Sequence, residues 1–507
     1  MRGDVVRKLL SLILILSLLV IPCGCVSKDS VSIGIVPLDS RPCNTQYAQL
    51  LGEMAGYQVV LPDGELLDDF TVPSEPLPLW DWLNEQDCDH YILFTNQLLN
   101  GGLIHSRSLK TYAQQDQFFT NLQSFIDTHS DRSITIISVL PRLLPSQYDT
   151  QLWQYQKALS AYGSALDKAL QQGLPAPDTP SDVPAEYVEQ YLALYQTDYE
   201  FLLRLSEFAG ENVSLVIGQD DAQEYCPSNV IYRALQELEN ENMTLLHGAD
   251  ELTMMTVARY QAVPSSLRIV YSDDAFADAY YPYEGVSLAE GIAEKLAYLR
   301  ISVDENAEDT LVIHTDRDSI SQTLSLLQEA NSGYLGLADI AYTNKGDVAL
   351  ADALLTAEVF DKVHCYSGWN TASNTLGTVL AHYQVSKSFA EDQQAAEAAL
   401  AFKLVRFSED LVYQGAISNE LRGELLNQKK MDGTTTFTDE LAYTDALARL
   451  QEQFSPYAER LSLLAEREQV ILPGVTVRCS QTDYTIVFPW NRAFEVYVQW
   501  DTKVKLL

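Results

Sequence analysis

From Val31 to about His382, short β-rich runs alternate with helical patterns, and no other feature limits the possible folds of this chain as strongly. The rhythm is that of parallel strands joined by crossover helices. The runs are Val31–Leu38, Tyr57–Leu61, His90–Thr95, Ser133–Leu140, Val213–Ile217, Met243–Leu246, Leu267–Tyr271, Thr310–His314, Gly333–Ala338 and Lys362–Tyr366. They are too many for a plain eight-stranded barrel, so a barrel makes two of them edge or accessory strands. The expectation is an α/β domain over residues 31–387 of the parallel-strand, barrel-like (TIM-like) kind. An open doubly wound sheet is the alternative.

Two segments break the rhythm. Between Gln147 and Gly210 two helical stretches are separated by Gly173–Pro184, where Pro175, Pro177, Pro180 and Pro184 forbid a continuous helix. This reads as a helical hairpin inserted in the sheet domain and peripheral to it. On its second arm Tyr187, Tyr191, Tyr195 and Tyr199 recur every four residues, a stripe that is more often packing than a ligand platform. Residues 388–472 read as a helical segment broken near Asp432-Gly433, and residues 473–507 as a small antiparallel β appendage. No internal repeat is visible.

The first residues address the compartment. Arg2, Arg7 and Lys8 precede Leu9–Ile21, which is apolar except for Ser11 and Ser17 and shorter than the roughly 20 residues a membrane-spanning helix needs. Pro22-Cys23-Gly24-Cys25 and a polar turn at Ser27, Lys28 and Asp29 follow. The expectation is a signal peptide over 1–24, a lipid anchor on Cys25 and a linker over 25–30, which makes an exported lipoprotein on the extracytoplasmic face of the cell membrane. Pro22 stands where lipoprotein signals prefer Leu, which keeps ordinary signal-peptidase cleavage as an alternative, beside a retained N-terminal anchor.

A formal charge of −37 opposes binding of phosphate backbones or anionic lipid by the protein body, so nucleic acid is excluded as a partner and membrane contact is left to the anchor. The 47% of hydrophobic residues suffices for a sizeable core. Cys43, Cys88, Cys226, Cys365 and Cys479 are widely spaced, odd in number and without a CxxC pair, so they read as buried thiols rather than a zinc site or disulfide framework.

In parallel α/β folds the loops after the carboxyl ends of the strands converge on one face, and that face carries the site. Here those loops carry Asp39-Ser40-Arg41, Asn96-Gln97, Arg142, Gln219-Asp220-Asp221, Asp250-Glu251, Asp273-Asp274, Asp316-Arg317, Asp339 and Trp369-Asn370. One such Asp is commonly a helix N-cap, and Asp250 and Asp316 fit that reading. Together they supply carboxylates, amides and a few arginines, which suits a neutral polyhydroxylated ligand or a metal.

Several of these blocks carry a resemblance. Pro37–Pro42, Gly101–Arg107, Gly218–Ala222, Gly248–Glu251, Gly368–Thr375 and Pro489–Glu495 resemble, in order, the successive blocks of the bacterial domain-of-unknown-function family 4127. The likeness spans nearly the whole mature chain and implies no reaction. The chain departs from the family pattern in a longer connection at the tyrosine-striped hairpin and in Asn96, where an acidic residue is common; Asn96 is thereby excluded as a catalytic acid.

The most suggestive pair is Asp220-Asp221. Adjacent carboxylates in different environments can divide acid and base roles, as glycosidases require. Ordinary glycosidases flank the bond with carboxyls about 5 to 9.5 Å apart, whereas substrate-assisted enzymes can use neighbouring acids. A capping Asp beside a solvated Asp is the plain alternative. Trp369 offers a face for a sugar ring, and Asn370 and Asn374 offer amides that donate and accept, although Asn374 also suits a helix cap. Arg41 and Arg107 would fix a carboxylate or pair with surrounding acids. Asp39, Asn96, Asp250, Glu251, Asp339 and Asn344 complete the set expected to bind substrate.

GxSxG, HExxH, P-loop and GxGxxG motifs are missing, which weakens serine hydrolase, zincin and nucleotide readings, and no cofactor is expected. His247 with Asp250, or His314 with Asp316, leaves a metal-dependent hydrolase as a secondary reading. The expectation is a cell-surface glycoside hydrolase acting on glycans that contain amino sugars, with Asp220 and Asp221 as the acid/base pair. The alternative is a lipoprotein that captures saccharide without cleaving it.

Overall fold

The computed structural model describes residues 30–146, 149–330 and 333–507. The expected signal segment, Cys25 and the first hairpin residue Gln147 lie outside the described residues. Among the described residues no helix is long and apolar enough to cross a membrane.

The strands form two open parallel sheets and one small antiparallel sheet. The first sheet contains β1 (Ser32–Val36), β2 (Gln58–Val60), β3 (His90–Phe94), β4 (Ser133–Leu140), β5 (Val213–Gln219) and β6 (Met243–His247), in the order β2-β1-β3-β4-β5-β6. The second contains β7 (Ser265–Tyr271), β8 (Ile301–Val303), β9 (Thr310–His314), β10 (Leu335–Asp339) and β11 (Cys365–Ser367), in the order β8-β7-β9-β10-β11. β3, β9 and β10 are buried along their whole length, as sheets covered on both faces require.

The barrel expectation is corrected by these orders. In a barrel each strand lies beside its predecessor until the sheet closes. Here the order reverses after β2 and again after β8, which leaves open edges and puts helices on both faces. The two sheets repeat one strand order, first strand flanked by the second and third. This duplication of topology was invisible as a sequence repeat. All ten expected runs are strands. β8 and β12 (Glu468–Leu472) were missed, the former because three residues show no periodicity.

The two halves share a core. Helices Gln46–Met54 and Leu252–Arg259, which follow β1 and β6, pack against helices Ala372–Ser386 and Gln393–Arg406 from the second half. Tyr47, Leu252, Met255, Leu376, Val379 and Phe402 lie in one buried cluster there. β12, β13 (Val475–Val487) and β14 (Tyr497–Leu506) form the antiparallel sheet. It is not a free appendage: the indole N–H of Trp500 donates to Ser408 Oγ at 2.9 Å, and that of Trp490 to Ser40 Oγ at 2.7 Å.

The hairpin also proves less peripheral than expected. Its second arm, Ala185–Ser206, lies on the connection from β4 to β5, and Tyr191, Tyr195, Phe201, Leu202 and Leu205 are buried against the outer face of the first sheet. The hydroxyls of Tyr191 and Tyr195 donate to the carbonyls of Leu143 and Arg142, each at 2.8 Å. The stripe is packing, and it fixes the loop that carries Arg142.

Candidate functional site

Strand register brings the candidates together. Leu140 of β4 lies opposite Gln219 of β5, so Arg142 and Asp220-Asp221 leave the sheet side by side. Gln219 bridges Gly248, which sets Asp250 beside them. The β1 loop, at the point where the strand order reverses, contributes Asp39 and Arg41. The loop after β3 contributes Arg107. This is the place where doubly wound sheets bind ligands.

Arg41 ties the cluster together. It is 8% exposed, its Nε and Nη2 donate to Asp39 at 2.9 and 2.7 Å, and its Nη2 and Nη1 donate to Asp250 at 2.6 and 3.1 Å. Asn44 donates to Asp39 at 2.9 Å and Asn370 to Asp250 at 3.1 Å, the latter joining the second half to the first. Asp250 is therefore no helix cap. Its burial, opposed by Arg41 and reinforced by Asp39 and Asp220, raises its carboxyl to about 6.

Asp220 pairs with Arg107, and Asp221 pairs with Arg142 Nη1 at 3.1 Å. Neither carboxylate caps a helix. Burial and then the neighbouring Asp221 push Asp220 upward, against Arg107, Arg142 and Arg41. Asp221 sits at φ 36°, a left-handed conformation that costs a non-glycine residue roughly 1–3 kcal/mol. Asn344 (φ 65°) and Asn370 (φ 52°) are also left-handed, and the Asn344 N–H donates to the Asn370 carbonyl at 2.7 Å. Three departures from ordinary backbone thus converge on one region.

A narrow cleft with water-accessible space of only about 20 Å³, room for about one water, adjoins the cluster on the second-half side. Arg41, Asn344, Trp369 and Asn370 line it, as do Glu409, Gln414 and Glu495, which the sequence reading missed. Glu409 and Gln414 lie on the π-helical segment Phe407–Ile417, a form that recurs at functional sites. Trp369 is less available than expected. It is 7% exposed, Tyr47 meets its ring edge-on at 6.0 Å, and its N–H donates to Thr378 at 3.1 Å, so it serves as a wall of the cleft rather than an open platform.

The other candidates are structural in their contacts. Asn96 exchanges hydrogen bonds with the backbone of Val139, at 2.9 and 3.2 Å, and so staples β3 to β4. Glu251 is fully buried, 3.2 Å from Lys295, and accepts from Asn374 at 2.6 Å, a crosslink between the halves. Asn374 also closes the capping box of Thr371, in line with its expected capping role. Asp339 accepts from Tyr366 at 2.9 Å and from the Asp347 N–H at 2.6 Å, apart from the Asp220 cluster, and burial raises it to about 6.

The paired histidine and carboxylate spacings do not meet. His247 bonds Glu294 at 2.9 Å and His314 bonds Thr323 at 2.7 Å, whereas Asp316 caps a short 3₁₀ turn. Cys43, Cys88, Cys226, Cys365 and Cys479 are free and buried, as expected.

Neither a search of curated proteins nor one of solved structures finds a match. Residues 33–499 match the family described as "Protein of unknown function (DUF4127)", and since that match spans both sheets and the strand-end cluster, the chain belongs to this family.

Proposed function

We propose that the protein is a cell-surface glycoside hydrolase acting on glycans that contain amino sugars, with Asp220 and Asp221 as its acid/base pair. The observation that carries the reading is the separate pairing of these adjacent carboxylates: each holds its own arginine, and burial pushes Asp220 upward. A carboxyl pushed upward by burial suits the role of general acid, giving its proton to the leaving glycosidic oxygen as the C–O bond breaks. Asp221, held by Arg142, suits the task of orienting a substrate acetamide. The acetamide oxygen then attacks the anomeric carbon, and water later opens the cyclic intermediate. Side-by-side residues fit this substrate-assisted route better than carboxyls on opposite sides of the bond.

A screen of the purified mature chain against chromogenic glycosides and glycans tests the proposal. On a confirmed substrate, Asp220→Asn and Asp221→Asn should each lower kcat by about 10² to 10⁴, and kcat/KM should follow a bell-shaped pH profile. Near-wild-type turnover in both variants would end the assignment. The compensation of every cluster carboxylate by an arginine favours a second reading, a saccharide-capturing protein, which would bind glycan without turnover at any pH.

A further inference from the structure

We infer that the exposed tyrosines of the loop after β7, Tyr280 and Tyr283, form the stacking platform on which a neutral glycan lies as it reaches the Asp220-Asp221 pair. The inference rests on the saccharide reading above for its class of ligand. It supplies the open aromatic surface that buried Trp369 does not.

The loop is placed by its contacts. It leaves β7 in the second half and crosses onto the strand ends of the first, where the Ala222 N–H donates to the Tyr283 carbonyl at 3.1 Å. Tyr283 therefore lies beside the residue that follows Asp221. Buried Glu284 accepts from the N–H and the hydroxyl of Ser373 at 2.7 and 2.6 Å, and the Tyr281 hydroxyl donates to the Thr315 carbonyl at 2.7 Å. At Gly285 the loop presses so close to the first half that a Cβ would lie 2.7 Å from Gln219 Oε1 and 3.1 Å from Ala222 Cβ. The backbone is thus clamped on both sides of Tyr283.

This clamped loop leaves two aromatic side chains in solvent. Tyr280 is 50% exposed and Tyr283 40%, so neither is spent on the core. Tyr283 also sits at φ 69°, a left-handed conformation that glycine or asparagine adopts with less strain than a bulky residue. A strained, exposed tyrosine next to a carboxylate pair is explained by a ligand better than by the turn. Tyr225, half-buried on the segment after Asp221, belongs to the same patch: a hydrogen bond to Glu224, slight burial and the nearby Tyr280 push its hydroxyl upward.

An apolar ring face with a hydroxyl at its edge suits a pyranose, which presents C–H groups on its faces and hydroxyls around its rim. Charge narrows the choice of glycan. Burial first, then Glu290 and Glu224, push the Tyr280 hydroxyl upward, and these neighbouring carboxylates disfavour an anionic chain. The side chains of Asp220 and Asp221 are 13% and 20% exposed, so a glycan on the patch can reach them from solvent.

The test is isothermal titration of the full mature chain with short chito-oligosaccharides and poly-N-acetyllactosamine as probes. At least one probe should bind, and Tyr280→Ser and Tyr283→Asn should each weaken it about tenfold, the loss expected of one aromatic contact. Tyr283→Trp should keep the affinity, and Tyr283→Asn should melt no earlier than wild type because it relieves the backbone. Tyr280→Ser, at an exposed position, keeps the test decisive if Tyr283→Asn fails to fold. Binding by no probe, binding indifferent to both tyrosine variants, or tyrosine-dependent binding to phosphatidylcholine vesicles in place of glycan would each overturn the inference. Tyrosine-dependent binding without turnover of any glycoside would instead overturn only the hydrolase proposal.

Discussion

Asp198 on the long hairpin arm should make the protein less stable as pH rises from 4 to 8. Its side chain is buried, Tyr112 Oη donates to Oδ1 at 2.6 Å, and Oδ2 has no partner among the described residues. Burial outweighs the Tyr112 bond and raises the carboxyl to about 7, against about 3.9 for an unfolded Asp. The folded chain therefore holds this proton more tightly than the unfolded chain. Its stabilising effect is complete below about pH 4 and is lost as pH rises to about 7. At about 1.36 kcal/mol per pH unit the full loss is about 4 kcal/mol, of which about 2–3 kcal/mol falls between pH 5 and 8. Asp198→Asn carries no proton to lose. Urea unfolding of wild type and variant at pH 5 and pH 8 should show the variant gaining about 2–3 kcal/mol relative to wild type at the higher pH. An equal difference at both pH values would refute the reasoning, and Tyr112→Phe should steepen the dependence by removing the one bond that favours the charge.

Other expectations follow from packing and charge. Replacing residues 149–209 by a Gly/Ser linker should prevent cooperative folding, because it removes Tyr191, Tyr195, Phe201, Leu202 and Leu205 from the core; a soluble product with a sharp thermal transition would contradict this. Glu251→Ala should cost about 3–5 kcal/mol by stranding the buried Lys295 charge, with much of the loss recovered in Glu251→Ala/Lys295→Met, as read by urea midpoints. Gly377→Ala should destabilise as well, since its added Cβ would lie 2.3 Å from Glu251 Cγ. Cys25→Ala should move the protein from the membrane fraction to the medium or leave the precursor unprocessed, and unchanged fractionation would argue against the proposed lipid anchor.

Local pattern determined much of this protein. The β-rich runs were legible because buried parallel strands must be continuously apolar, and the strand-end carboxylates and arginines were legible because α/β folds place such loops on one face. What local pattern could not carry was pairing. Whether β3 lies beside β2 or β1 depends on how helices cover the sheet, so barrel and open sheets shared one sequence rhythm. The partners of Asp250 also depended on tertiary structure, because Arg41 lies 209 residues away in the chain and reaches it where helix Gln46–Met54, after β1, packs on helix Leu252–Arg259, after β6. Glu409 and Gln414 show the same limit at the smallest scale. Five residues apart on an α-helix, at 3.6 residues per turn, they would point about 140° away from each other. The π-helical turn, held by bonds between residues five apart and by the packing around Phe407–Ile417, brings both side chains onto one cleft.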